Sequence, residues 1–454
     1  MTGRETELQY LESYYNMEQS NFIVMYGQQG VGKTTLLKNF MQGKDSFYYL
    51  SSHCSAKEQQ FLFARCCEAK NDDLPSYATY EECYTYLCKN RKEQTGRKKV
   101  IVIDEFVPCL KHYDAFVQEL VQLMQRENVM LILCSSMTSF IENDFAMKIG
   151  MLALQISGFL KIRQLRYHVL RDLYPKFKEA DAMKMYAVLG GVPVYWNLFD
   201  EHLSFEENMK KKILSAHTYL SVEAERIVGS ELRETSVYNT ILMKLASGIC
   251  KLNDIHECTS FSRAKISVYL KNLMELEIVE KIFSYDTNGK ENTQKGIYRI
   301  QNHFLAFWYR YVYPHLSQLQ MLNEKEFYQK FIQEDFSQYF QGYQREIFCD
   351  YLEQLNEEKK LPFIYQKSGE WVGKVGTIDL VAGDEAGNIL VGSCNWHSGT
   401  MKYDDFEWLQ MCMKQAKIKS AAIYLYSKDG FDRALLQLAE EQKDICLLSD
   451  LSRK

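Results

Sequence analysis

Over about the first 160 residues, short apolar runs alternate with stretches whose apolar positions recur every three or four residues. The runs 21–26, 47–50, 100–103 and 129–134 are rich in β-branched and aromatic side chains and predict buried strands. Strands that alternate with amphipathic helices make a parallel α/β sheet. From about 158 to 235 the pattern turns helical, broken at Gly190-Gly191-Val192-Pro193, where paired glycines and a proline end one helix and start another.

Residues 236–314 show a different rhythm. Three helical patterns precede a strand over 280–285, a turn at Asp286-Thr287-Asn288-Gly289 and a second strand over 296–300, which together predict a winged helix. Within it, 252–276 splits at Thr259-Ser260, and the longer helix repeats Ile266, Tyr269, Leu270, Leu273 and Met274 at helical spacing. Its other face carries Ser262, Arg263, Lys265, Ser267 and Lys271. Two readings stand: Arg263, Lys265 and Lys271 meet double-stranded DNA, or they form a solvated face on a module that contacts protein. Phe304, Phe307, Trp308, Tyr311 and Tyr313 are spaced as a core stripe rather than a platform for stacking bases. A charged, Gln-rich connector over 315–337 leads to a last unit with a helix over 341–355, strands over 377–382 and 389–394 around a turn at 384–388, and a strand over 421–426. Trp371 and Trp396 flank that sheet as structural residues.

Composition narrows the class. A chain of 454 residues that is 46% hydrophobic has room for roughly three domains and a core in each, which excludes disordered and collagen-like chains. The 13 cysteines lack Cys-x-x-Cys pairs and zinc-ligand spacing, as expected of small buried thiols in a reducing compartment. A formal charge of -5 supplies no global field toward nucleic acid, although a local basic face is compatible with it. The polar start Met-Thr-Gly-Arg-Glu-Thr-Glu and the lack of any run of ~18 apolar residues predict a cytoplasmic protein without membrane contact.

The chemistry concentrates after the first strand. Gly27, Gln28, Gln29, Gly30, Val31, Gly32, Lys33 and Thr34 match G-x-x-x-x-G-K-[ST], and a helix is expected over 35–41. Glycines let backbone N–H groups turn around phosphates, Lys33 reaches the β- and γ-phosphates, and Thr34 offers a hydroxyl to Mg²⁺; Thr35 completes the cofactor-binding set. The expected cofactors are therefore ATP and Mg²⁺. Asp104, directly after a buried run, is the expected partner of the metal, and Glu105 the general base for a hydrolytic water. Ser135 and Ser136 end the next strand, either contacting the γ-phosphate or capping the following helix. Arg163, Arg166 and Arg171 are equal candidates for a cation that stabilises the transition state.

Arg4-Glu5-Thr6-Glu7-Leu8, the phosphate loop, Ile103-Asp104-Glu105-Phe106, Leu133-Cys134-Ser135-Ser136, Gly190-Gly191-Val192-Pro193 and Phe304-Leu305-Ala306-Phe307-Trp308-Tyr309-Arg310 occur in an order that resembles the archaeal-type ATPases of the AAA+/STAND group carrying a C-terminal domain of unknown function. The resemblance implies an α/β fold: a P-loop NTPase parallel sheet (1–157) with the Cys134 strand between the phosphate-loop and Asp104 strands, a helical lid (158–235), a winged helix (236–314), and a connector with a restriction-endonuclease-like α/β domain (315–454). In such a nuclease-like domain Glu346 and Asp379 match the first two positions of a PD-(D/E)xK site. The third reads Ser393-Cys394-Asn395-Trp396 where Glu-Cys-Lys-Trp is usual. Without that carboxylate and lysine, a hard cation and a pentacovalent phosphate lose their partners, so nuclease activity is not expected. Gly150-Met151 stands where such ATPases often carry an arginine, which implies slow hydrolysis or a residue from a neighbouring subunit. Three functions follow: an ATPase, a slow nucleotide-controlled switch or scaffold with a protein partner or a second copy, and an ATP-regulated nuclease as the least favoured.

Overall fold

The computed structural model describes residues 2–67, 74–89, 98–112, 115–287, 296–395 and 399–451. The chain forms two compact units, Met1–Leu165 with Val192–Tyr195, and Arg166–Gly191 with Trp196–Lys454.

The first unit is built on strands β1 (Asn21–Tyr26), β2 (Ser46–Leu50), β3 (Lys99–Asp104), β4 (Val129–Ser135) and β5 (Gly158–Lys161), in the order β2-β3-β4-β1-β5. Every pairing is parallel, and β4 lies between β1 and β3 as the resemblance implies. Because side chains alternate along a strand, Phe22, Val24, Ile101, Ile103, Leu131 and Leu133 enter one apolar cluster, and Ile23, Met25, Val100, Val102, Met130 and Ile132 enter the other. The second cluster is closed by Leu11 and Tyr15 of α1 (Glu5–Tyr15) and by Leu36, Leu37 and Phe40 of α2 (Lys33–Met41). Helix α2 begins at Lys33 rather than at Thr35. Strand β5, Gly-Phe-Leu-Lys, falls where the sequence reads as helical, since four residues are too few to establish a period of two.

In the second unit, helices Thr235–Ala246, Leu252–Cys258 and Arg263–Glu275 precede an antiparallel ribbon of β6 (Val279–Ile282) and β7 (Ile297–Ile300). The break expected at Thr259-Ser260 is present, and Ser262 caps the longer helix by accepting from the Lys265 amide. Strand β6 is shorter than expected because Tyr285–Thr287 already turns; Asn288 and Gly289 lie outside the described residues. Phe304, Phe307, Trp308 and Tyr311 are buried and Tyr313 half-buried, so the aromatic stripe is core.

The same unit ends in a mixed sheet, β12-β11-β10-β9-β8, from strands β8 (Lys367–Val372), β9 (Thr377–Gly383), β10 (Ile389–Cys394), β11 (Ala422–Tyr426) and β12 (Ile445–Leu448). β8, β9 and β10 pair antiparallel; β10, β11 and β12 pair parallel. Strands β8 and β12 have no counterpart in the sequence reading, the first because Lys-Ser-Gly-Glu-Trp-Val is polar, the second because it is short. Helix Phe336–Glu357 runs longer at both ends than the expected 341–355. Trp371 is buried against Ile378, Phe406 and Leu409, whereas Trp396 lies outside the described residues. Several cysteines are core thiols, but Cys66 and Cys258 are exposed against expectation. Among the described residues no helix is long and apolar enough to cross a membrane.

Candidate functional site

At the carboxyl ends of β1 and β3, the loop from Gly27 to Gly32 joins β1 to α2. Gly30 and Gly32 adopt φ of +84° and +101°, a region L-residues seldom occupy. Gly27 has a different reason: a Cβ there would lie 2.2 Å from the carbonyl oxygen of Ile162, just beyond β5. Lys33 is buried, and its Nζ donates to the carbonyls of Gly27 (2.7 Å) and Gln28 (3.0 Å). Gln28 Oε1 accepts from Gln164 at 2.8 Å, Val31 is buried, and Gln29 and Thr35 are exposed. Val192 and Val194 pack over the loop: a Cβ on Gly30 would lie 3.0 Å from Val192 Cγ1 and 3.4 Å from Val194 Cγ1. The Gly-Gly-Val-Pro segment is therefore more than a helix break. Only the fold, by returning Val192 to Gly30, discloses this.

Asp104 ends β3 almost wholly buried. Its Oδ2 accepts from Thr34 Oγ1 (2.9 Å) and from the Tyr48 hydroxyl (2.8 Å), and Oδ1 accepts from the Glu105 amide (3.0 Å). Burial and the adjacent Asp104 charge push the Tyr48 hydroxyl far above its usual range, so it stays a donor. Glu105 sits at φ +50°, a conformation that costs a non-glycine residue roughly 1–2 kcal/mol. Its carboxylate is pinned: Oε2 accepts from the amide and from the hydroxyl of Ser136, each at 2.9 Å. Ser135 is fully buried and its Oγ accepts from the Met137 amide at 3.0 Å, a local turn bond just before the next helix. The sequence left both serines with two roles; the β3–β4 pairing hands Ser136 to Glu105 and leaves Ser135 to the backbone. Tyr48 was missed because nothing in a strand sequence marks the face that meets Asp104.

Of the three arginine candidates, Arg166 pairs with Glu357 (2.5 Å) and Arg171 with Glu179 (2.7 Å), while Arg163 is exposed. Arg4, quoted above only as part of a motif, is buried and donates to the carbonyls of Val31 (2.9 Å) and Arg163 (2.6 Å).

The terminal sheet presents a second group of carboxylates. Asp379 on β9 accepts from the Cys394 amide at 2.9 Å, and Ser393 Oγ stands 3.4 Å away. The Arg345 guanidinium is bonded to Glu370 and to the Asp379 carbonyl. Arg299 stands 3.3 Å from Glu370, and Glu346 pairs with His303 at 2.9 Å. Burial tends to raise the Glu346 carboxyl, but His303, Arg299 and Arg345 outweigh it and hold it below its ordinary value. Burial raises Asp379 to about 6. Arg299, Arg345, Glu346, Glu370 and Asp379 line a cavity of about 450 Å³. Among the described residues no three His, Cys, Asp or Glu side chains converge as a metal site.

On the helix Arg263–Glu275, Arg263 and Lys271 are exposed, Arg263 bonded to Asn253 (2.8 Å) and Lys271 3.6 Å from Glu275. Lys265 lies over the rings of Phe261 and Tyr269.

With this geometry in view, residues 1–198 match the family described as an ATPase domain predominantly from Archaea. Residues 1–198 of the chain are thus similar to this ATPase domain family. Residues 308–408 match a family of archaeal and bacterial proteins of unknown function. An uncharacterized protein of Methanocaldococcus jannaschii is 29% identical over 385 residues, covering 84% of this chain and 83% of its own. An uncharacterized ATP-binding protein of the same organism is 44% identical over 42 residues, 9% of this chain and 71% of its own. Among solved structures, the ORC2 protein of Aeropyrum pernix in its ADPNP-ADP complexes is similar, with a TM-score of 0.42, 13% identity, 71% of this chain and 95% of that chain covered. The match over residues 1–198 is to an ATPase domain, and the parallel α/β sheet with its phosphate loop lies within those residues.

Proposed function

We propose that the protein hydrolyses ATP to ADP and phosphate at the carboxyl ends of β1 and β3, and that nucleotide state moves the helical lid (158–235) and winged helix (236–314) in the cytoplasm. The observation that carries this reading is the conjunction of a buried Lys33, a Thr34–Asp104 hydrogen bond and a Glu105 carboxylate fixed by Ser136. The donor set fits a hard divalent cation: Thr34 and Asp104 offer only oxygen ligands and would hold Mg²⁺, which when bound neutralises phosphate charge.

The residues divide the work. On binding, the Lys33 ammonium exchanges its bonds to the Gly27 and Gln28 carbonyls for phosphate oxygens, while the loop amides surround the phosphates. Glu105 takes the proton of the attacking water, a task closed to Asp104, whose Oδ2 accepts from Thr34 and Tyr48 and whose Oδ1 accepts from the Glu105 amide. Ser136 holds Glu105 in position and releases it for that role. Val192 and Val194, packed on Gly30, give the loop a mechanical link to the segment beyond it.

A second reading, the slow switch, is favoured by a specific observation. Glu105 is committed to Ser136, and Arg166 and Arg171 are committed to carboxylates, which leaves basal hydrolysis with little assistance. The exposed Arg263 and Lys271 support a DNA partner for the winged helix, and the Arg345 and His303 pairings support the absence of nuclease chemistry at Glu346 and Asp379. Steady-state ATP turnover of wild type and Glu105→Gln, with and without double-stranded DNA, tests the reading. Glu105→Gln is expected to bind ATP but turn over about 10²-fold or more slowly; equal rates would refute the role of Glu105, and tightly retained nucleotide with background turnover in wild type would select the switch.

A further inference from the structure

The Val31–Gly32 peptide lies in the phosphate loop: the Val31 side chain is fully buried among apolar residues, while a Cβ on Gly32, at φ +101°, would meet nothing within 4 Å. A buried arginine also holds this peptide. The Val31 carbonyl accepts from Arg4 Nη2 at 2.9 Å, and the same nitrogen donates to the Arg163 carbonyl at 2.6 Å, just past β5. Arg4 Nη1 is in turn held by Glu7 at 2.7 Å, in the first turn of α1. Arg4 is 4% exposed, so little water competes for these bonds.

A trans peptide is planar, with its C=O and N–H pointing in opposite directions. Fixing the Val31 carbonyl toward Arg4 aims the Gly32 N–H the other way. We infer that Arg4 is a positioning residue for nucleotide binding: its guanidinium ties the loop apex to the end of β5, so that the Gly32 amide is already aimed at phosphate before ATP arrives. This rests on the reading that the loop holds phosphates. Two properties of arginine matter here. Its charge adds to the field at the loop, and its planar fork reaches two carbonyls and a carboxylate at once, which the ammonium of lysine does not reproduce in fixed directions.

The test compares wild type, Arg4→Ala, Arg4→Lys and Lys33→Ala in the full chain, by calorimetric titration with Mg²⁺·ATP and with Mg²⁺·ADP and by steady-state turnover, with folding checked by a cooperative melt. Arg4→Ala is expected to weaken both nucleotides about tenfold or more. Its kcat at saturation should stay within about threefold of wild type, because Arg4 touches no reacting atom. Arg4→Lys should recover only part of the affinity and serves as the folded variant where alanine does not fold. Unchanged affinity in Arg4→Ala, full recovery in Arg4→Lys, or a fall in kcat as large as the fall in affinity would each overturn the inference. Failure of wild type to bind ATP, or equal binding by Lys33→Ala, would instead overturn the phosphate-loop reading itself.

Discussion

Asp104 and Asp379 occupy comparable positions, each on a buried strand of a five-stranded sheet, and their surroundings differ in kind. Asp104 is met by hydroxyls of Thr34 and Tyr48 and by an amide, all neutral. Among the described residues no cation forms an ion pair with Asp104, and a glycine-rich loop with amide donors follows the neighbouring strand β1. Asp379 lies in a group where Arg345 binds Glu370, Arg299 approaches it, and His303 binds Glu346. There the protein supplies the cations itself. The difference teaches that acidic residues on strands do not mark a metal site by themselves. What marks one is charge that the fold leaves without an internal partner.

The contrast is broken most severely at Lys33. Lys33→Ala removes the ammonium nearest the loop carbonyls, and we expect ATP turnover, measured as kcat/KM, to fall by about 10³-fold or more. Turnover within tenfold of wild type would mean that the loop is a glycine turn and not a phosphate cradle. At the other sheet the corresponding cut is Arg345→Ala, which leaves Glu370, with only 10% of its side chain exposed, with Arg299 at 3.3 Å as its remaining cation. Stability should drop by about 3 kcal/mol, read from urea unfolding, because a buried carboxylate loses the nearer of its two cations. The double variant Arg345→Met with Glu370→Met should regain most of that loss. If Arg345→Ala costs nothing, the arginine is not the internal cation proposed for this cluster.

Legibility in the sequence followed the same line. The phosphate loop could be read because its chemistry is local: glycines, lysine and threonine are fixed in spacing by the turn they make. Strands β1, β3 and β4 could be read because burial on both faces makes them continuously apolar. Strand β8 could not, since Lys367, Ser368 and Glu370 interrupt any run, and it became a strand only by pairing with β9. Nor could the partners of the acidic residues. Tyr48 lies on β2, Ser136 follows β4, and Arg345 stands on a helix; each reaches its carboxylate through tertiary placement that no spacing rule encodes. Glu346 and Asp379 were thus recognised as a nuclease-like pair, while the residues that neutralise their surroundings were invisible.

The smallest expected effect is the most discriminating, since it concerns a single proton on Asp379. Burial raises this carboxyl from an ordinary 3.8 to about 6, against the opposing pull of the Cys394 amide and Arg345. A carboxyl whose pKa is higher folded than unfolded binds its proton more tightly in the folded chain. Its contribution is fully present below about pH 4 and is lost as pH rises through 6, where ionising a buried group begins to cost. Asp379→Asn removes that ionisation and keeps an oxygen for the Cys394 amide. We expect the variant to gain about 1–3 kcal/mol over wild type at pH 7.5 in urea unfolding, with the gain shrinking toward zero between pH 6 and pH 4. A flat difference across that range would mean that Asp379 is ionised at no cost, and the contrast between the two aspartates would then fail at its most basic point.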